Sequence, residues 1–124
     1  MNKQRPKNLN LLTIRFPLPA IVSILHRISG IILFLSLPFM LWALETSLHS
    51  EEQFNALKDR LATPCFKFIT WACLSAFLFH VVTGIRHLLM DLDIGVSLQG
   101  GRKSAALSLL AAFILVILAG VYVW

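Results

Sequence analysis

The sequence predicts an all-α integral membrane protein with three transmembrane helices, and three observations predict it. The 124 residues are 57% hydrophobic and only 14% charged, a balance well outside that of soluble domains. Uncharged runs of 17, 18 and 21 residues span Ile28 to Leu44, Phe68 to Ile85 and Ser104 to Trp124. At 1.5 Å per residue they cover about 25 to 32 Å, matching a hydrocarbon core of about 30 Å. Finally, the basic residues are distributed unevenly between the two sides that such spans would create.

The segment through Pro19 reads as extended or interfacial, because Pro6, Pro17 and Pro19 each disfavour helix in the preceding residue. Counting their polar ends, the helices are expected near 21–48, 64–92 and 103–124, as one membrane domain preceded by an amino-terminal segment, 1–20. Pro38 lies inside the first helix and is a candidate kink. Between the first two spans, Ser50 followed by Glu51, Glu52 and Gln53 supplies an N-cap, an acidic first turn and a capping-box partner, so a short surface helix is expected there. Asp93 to Arg102 contains Gly95, Gly100 and Gly101 and reads as a turn. The third span carries Ala105, Ala106, Ala111, Ala112, Ala119 and Gly120, small residues that let helices approach closely. No internal repeat is evident.

Lys3, Arg5, Lys7, Arg15, Arg27, Arg86, Arg102 and Lys103 fall on one side, against Lys58, Arg60 and Lys67 on the other. This asymmetry predicts a cytoplasmic amino terminus and a periplasmic carboxyl terminus, with Trp124 at the outer interface. The net charge of +5 is accounted for by topology and anionic lipid, with no nucleic acid required. Met1 to Pro19 lacks the apolar core of a secretory signal and the character of an organellar transit peptide, so a bacterial inner membrane is expected. Cys65 and Cys73 stand about 12 Å apart along one helix, too far for a disulfide, and two cysteines do not hold an iron–sulfur cluster. A chain this short leaves no room for a soluble catalytic domain, so any such centre belongs to partners.

Polar residues inside the apolar runs point to function. Ser23, Arg27 and Gly30 share one face of the first helix, with His26 beside them. Arg27 lies about 10 Å in, shallow enough to snorkel, which is the bland reading. The functional one is that a hydroxyl, an imidazole and a permanent cation on one turn suit a quinone carbonyl and its anionic reduced forms. Arginine also suits a carboxylate such as a haem propionate.

His80, Gly84 and His87 repeat the spacing on the second span. His80 is expected near mid-membrane, where an imidazole either satisfies a neighbouring helix or ligates haem iron, with Gly84 leaving room for a flat group. His80 and His87, about 10.5 Å apart on one helix, cannot both ligate one haem. His26 is expected too shallow to meet His80, so a second ligand would come from another polypeptide. His87 and Asp91, four residues apart, are expected to pair.

Ser23-Ile24-Leu25-His26-Arg27 through Ser29-Gly30, His80 through Gly84-Ile85-Arg86-His87 to Asp91, Gln4-Arg5-Pro6, Asn8-Leu9 and Gly101-Arg102-Lys103-Ser104 together resemble the cytochrome b membrane-anchor subunits of bacterial succinate dehydrogenase, over nearly the whole chain. The resemblance implies a helical bundle completed by a second hydrophobic anchor subunit. It implies haem b with His80 as one axial ligand and a histidine of the companion anchor as the other, with His26 and Arg27 near the propionates. Ubiquinone would contact Ser23 and Arg27. Electrons would arrive from succinate through a flavoprotein and an iron–sulfur subunit, linking the tricarboxylic acid cycle to the respiratory chain. The alternatives are a haem-free structural anchor for a peripheral redox complex and, more weakly, a small transporter subunit using Arg27 and His87.

Overall fold

The computed structural model describes residue 10 and residues 13–124. Lys3, Arg5 and Lys7, which enter the charge asymmetry, and the Gln4-Arg5-Pro6 and Asn8-Leu9 motifs lie outside the described residues. Four helices follow: α1, Leu18–His49; α2, Glu51–Leu61; α3, Pro64–Asp91; and α4, Leu98–Val123. Among them α1, α3 and α4 are long and apolar enough to cross a membrane. Their lengths of 32, 28 and 26 residues correspond to about 39 to 48 Å, longer than the hydrocarbon core.

Local chemistry sets the boundaries. Pro17 precedes α1, and Pro19 occupies its first turn, where a missing N–H costs nothing. α1 runs unbroken through Pro38. Ser50 caps α2 by accepting from the Gln53 N–H at 3.2 Å, as the sequence predicts. α3 ends where Asp93 takes a left-handed conformation, φ 59°. The Ile94 N–H donates to the Leu89 carbonyl and the Asp93 N–H to the Met90 carbonyl, both at 3.0 Å, which makes a Schellman cap with an aspartate where glycine is usual. The expected turn over 93–102 is shorter than predicted, because Ser97 accepts from the Gly100 N–H at 3.0 Å and starts α4 five residues before Lys103. Charge marks where the membrane begins, whereas the cap marks where the helix begins.

Packing uses small side chains at heptad spacing. Val22, Ser29 and Ser36 are the buried residues of α1, and Ala105, Ala112 and Ala119 repeat the seven-residue step on α4. Ala76 and Thr83 do the same on α3. Small residues at a seven-residue step let helix backbones approach closely. Trp71 of α3 donates its indole N–H to the Val116 carbonyl of α4 at 3.0 Å, over Gly120. α2 rests on α1 and α3 and buries Leu57. Much of the remaining surface is apolar, with Phe34 and Leu35 each 70% exposed, as expected of helices that face hydrocarbon.

Candidate functional site

Three imidazoles stack between α1 and α3. The His26 ring lies against His80, with ring centres 4.0 Å apart and planes 14° apart, and against His87 at 4.9 Å and 30°. His26 therefore does meet His80, contrary to the depth expected from sequence. His80 and His87 are two helical turns apart, about 10.5 Å, and the ring from α1 fills that gap. Depth counted from helix ends fails here because the ends of α1 and α3 need not be level.

Hydrogen bonds fix each ring by the same atom. Ser29 spends its one proton on the His26 carbonyl at 2.7 Å, so its oxygen is left to accept from His80 Nδ1–H at 2.9 Å. The His26 carbonyl also faces His80 Nδ1, at 3.2 Å, and a carbonyl only accepts. Thr83 spends its proton on the Phe79 carbonyl at 2.7 Å and accepts from His26 Nδ1–H at 2.8 Å. His87 Nδ1–H donates to the Thr83 carbonyl at 2.7 Å, which replaces the expected pairing with Asp91. The network thus assigns all three rings the Nδ1–H tautomer and leaves every Nε2 lone pair free. None of these Nε2 atoms is among the sealed, unpartnered polar atoms of the described residues, which are the Thr70 and Ser75 hydroxyls. The three Nε2 atoms are open to the chain's surroundings.

The arrangement is reciprocal. His26-Arg27-Ile28-Ser29-Gly30 on α1 and His80-Val81-Val82-Thr83-Gly84 on α3 share the pattern His-x-x-Ser/Thr-Gly. Each histidine donates to the hydroxyl of the other segment and lies over its glycine. A Cβ on Gly30 would stand 3.2 Å from His80 Cε1, and one on Gly84 would stand 3.4 Å from His26 Cε1. The room expected beside Gly84 for a flat group is taken by the His26 ring. Ser29 and Thr83, buried to 4% and 0% exposure, are the members of this network that sequence reasoning passed over. The five-residue repeat was the available signal, although no internal repeat was expected.

Ser23 and Arg27 stay outside this network. They stand one turn apart on α1, Ser23 half-buried and Arg27 exposed, and neither side chain takes a hydrogen bond or ion pair among the described residues. Arg86 is buried and bonds to α4. The described residues contain no group of three or more His, Cys, Asp or Glu side chains arranged to hold a metal ion.

The sequence profile described as succinate dehydrogenase/fumarate reductase transmembrane subunit matches residues 1–119. The chain belongs to this family. The succinate dehydrogenase cytochrome b556 subunit of Coxiella burnetii (strain RSA 493 / Nine Mile phase I) is 46% identical over 125 residues, covering 100% of both chains. That of Paracoccus denitrificans is 30% identical over 115 residues, covering 92% of this chain and 88% of the relative. A mitochondrial cytochrome b560 subunit of succinate dehydrogenase from Dictyostelium discoideum is 32% identical over 91 residues, 70% of this chain and 45% of its own. Within the succinate dehydrogenase family this chain stands with the cytochrome b anchors, and it is a multi-pass membrane protein.

Proposed function

We propose that this chain binds haem b and ubiquinone and carries electrons from an iron–sulfur subunit to quinone in a succinate:quinone oxidoreductase. The observation that supports haem is the fixing of His80. Its Nδ1–H is spent on Ser29 and the His26 carbonyl, which makes Nε2 the coordinating atom and orients the ring from behind, as metal-bound histidines require. Bound haem supplies a one-electron carrier whose potential follows its axial ligands and their hydrogen bonds. Rings stacked face to face do not point their nitrogens at a common centre, so His26 would not join His80 in holding the iron. A further ligand would come from a second hydrophobic anchor subunit. The relatives' names, cytochrome b556 and b560, favour the same reading.

Ser23 and Arg27 form the quinone contact. Their hydroxyl and guanidinium, unpaired among the described residues, share a face of α1, where the hydroxyl donates to a carbonyl oxygen and the cation favours the reduced, more negative ligand. Arg27, with His26, also suits the haem propionates. The amino terminus faces the cytoplasm, where the flavoprotein and iron–sulfur subunits dock, and the carboxyl terminus faces the periplasm of a bacterial inner membrane.

A reduced-minus-oxidised spectrum of the purified complex, wild type beside His80→Ala, tests the haem assignment. A b-type band lost in the variant is expected, and a wild-type complex without that band refutes it. Ser23→Ala and Arg27→Ala should depress quinone reduction while dye-linked succinate oxidation survives. Undiminished quinone reduction in both variants would remove the quinone assignment, whereas equal loss of both activities would indicate failed assembly.

A further inference from the structure

Arg86 carries a charge that the bundle does not neutralise. It is 5% exposed, and its Nε donates to Ser104 Oγ at 3.1 Å and its Nη2 to the Gly101 carbonyl at 3.3 Å. Both acceptors are neutral, and among the described residues no carboxylate pairs with it. Asp91 and Asp93, at the same end of the bundle, are exposed. A buried cation without a counter-ion is costly, and two neutral hydrogen bonds satisfy only two of five guanidinium donors. Nη1 has no partner among the described residues, yet it is not one of their sealed polar atoms, so it remains reachable.

It is reachable from a groove of about 290 Å³ between α3 and α4, lined by Arg86 and Ser104 and walled by Ile85, Leu89, Met90, Ile94 and Leu107. The groove extends from the α3–α4 connection, at Ile94, down to Val82, about 12 Å of helix rise between Met90 and Val82. Its bonds hold the Arg86 guanidinium at the level of Gly101 to Ser104, the turn of α4 that also carries the exposed Arg102 and Lys103, just above the apolar run of α4. That is headgroup level. A single fixed cation at the boundary, above a narrow apolar channel running into the membrane, has the shape of an anionic amphiphile.

We propose that this groove binds an anionic phospholipid, its phosphate paired with Arg86 and its acyl chain laid along Ile85, Leu89 and Leu107. Guanidinium and phosphate match in charge and in fork geometry, and basic recesses between helices at the cytoplasmic surface are known lipid sites. The site shares no lining residue with the histidine stack or with Ser23 and Arg27, so it stands whether or not haem and quinone bind.

The test uses the complex purified with its partner subunits and exchanged into phosphatidylcholine nanodiscs carrying a minority of phosphatidylglycerol. Retained lipid is then counted by mass spectrometry after detergent extraction. Wild type should retain phosphatidylglycerol over phosphatidylcholine by about tenfold or more, the worth of one charge-assisted contact, and Arg86→Met should lose that preference. Leu107→Trp fills the channel without touching the cation and should lose it too, which keeps the test valid where Arg86→Met fails to assemble. Unchanged preference in Leu107→Trp, or in an assembled Arg86→Met complex, overturns the proposal. So does a photo-crosslinker at Leu89 that captures a companion polypeptide in place of lipid, because the counter-ion would then be a partner's carboxylate.

Discussion

Thr83 should be worth more than its size suggests. It is fully buried, and its hydroxyl is the acceptor that orients His26 from across the α1–α3 interface at 2.8 Å. Thr83→Val keeps the shape and removes the acceptor, leaving His26 Nδ1–H without a partner. An unsatisfied buried donor costs about 1–3 kcal/mol in soluble proteins, whereas hydrogen bonds between membrane helices average about 0.6 and reach about 1.7 kcal/mol. The loss of the Thr83 proton from the Phe79 carbonyl adds little, because that carbonyl is an intrahelical acceptor in its own right. We therefore expect destabilisation of about 1 kcal/mol. The double-mutant cycle with His26→Phe isolates the pair, since Phe retains a stacked ring but has no Nδ1–H. Thermal inactivation of the purified complex across Thr83→Val, His26→Phe and the double variant should give a coupling of about 0.6 to 1.7 kcal/mol, with Thr83→Ser close to wild type. Additive effects, with coupling under about 0.3 kcal/mol, would refute the hydrogen-bonded stack as a stabilising unit.

Gly30→Ala should disturb the site more than Gly84→Ala, because its new Cβ meets His80 at 3.2 Å while the other meets His26 at 3.4 Å, the edge of ordinary contact; the fall in melting temperature of the purified complex would rank them. Gly100→Ala should destabilise the complex despite the better helix propensity of alanine, since the Cβ would stand 2.7 Å from the Gly95 backbone carbonyl; a rise in melting temperature would contradict this. Asp93→Gly should stabilise by up to about 1 kcal/mol, because glycine takes the left-handed cap conformation without Cβ strain, and an unchanged or lower melting temperature would count against the cap.

The three spans and the surface helix were legible because each rests on a one-dimensional signal. Apolar run length fixes a span, and Ser50 followed three residues later by Gln53 fixes α2. The start of α4 was less legible because two signals disagree. Gly100 and Gly101 argue for a turn, while Ser97 offers a cap, and the cap wins since Gly100 is what lets the chain fold close over Gly95. The end of α3 was placed within a residue, but the residue that turns the chain is Asp93, which composition would not single out from the nearby glycines.

The site was half legible for a different reason. Which residues are unusual in a membrane can be read along one strand of sequence, and Ser23, His26, Arg27, His80 and His87 were found that way. Which of them touch depends on the axial offset of two antiparallel helices, and no count of 1.5 Å steps supplies it. The offset is nonetheless encoded, in a form that only becomes readable once the two helices are set side by side. Each His-x-x-Ser/Thr-Gly segment carries a ring, an acceptor and a gap, and an antiparallel pair has one register that puts both rings over both gaps and both Nδ1–H groups on both hydroxyls. Shifting α1 by one turn relative to α3 would strand two imidazole donors in a medium that offers no replacement. Register here is therefore set by polar satisfaction, since apolar contact in a lipid solvent discriminates weakly between one heptad and the next. The same constraint spends Nδ1 of His80 on α1 and leaves its Nε2 without a partner among the described residues, and it is on that lone pair that the proposed haem reading depends.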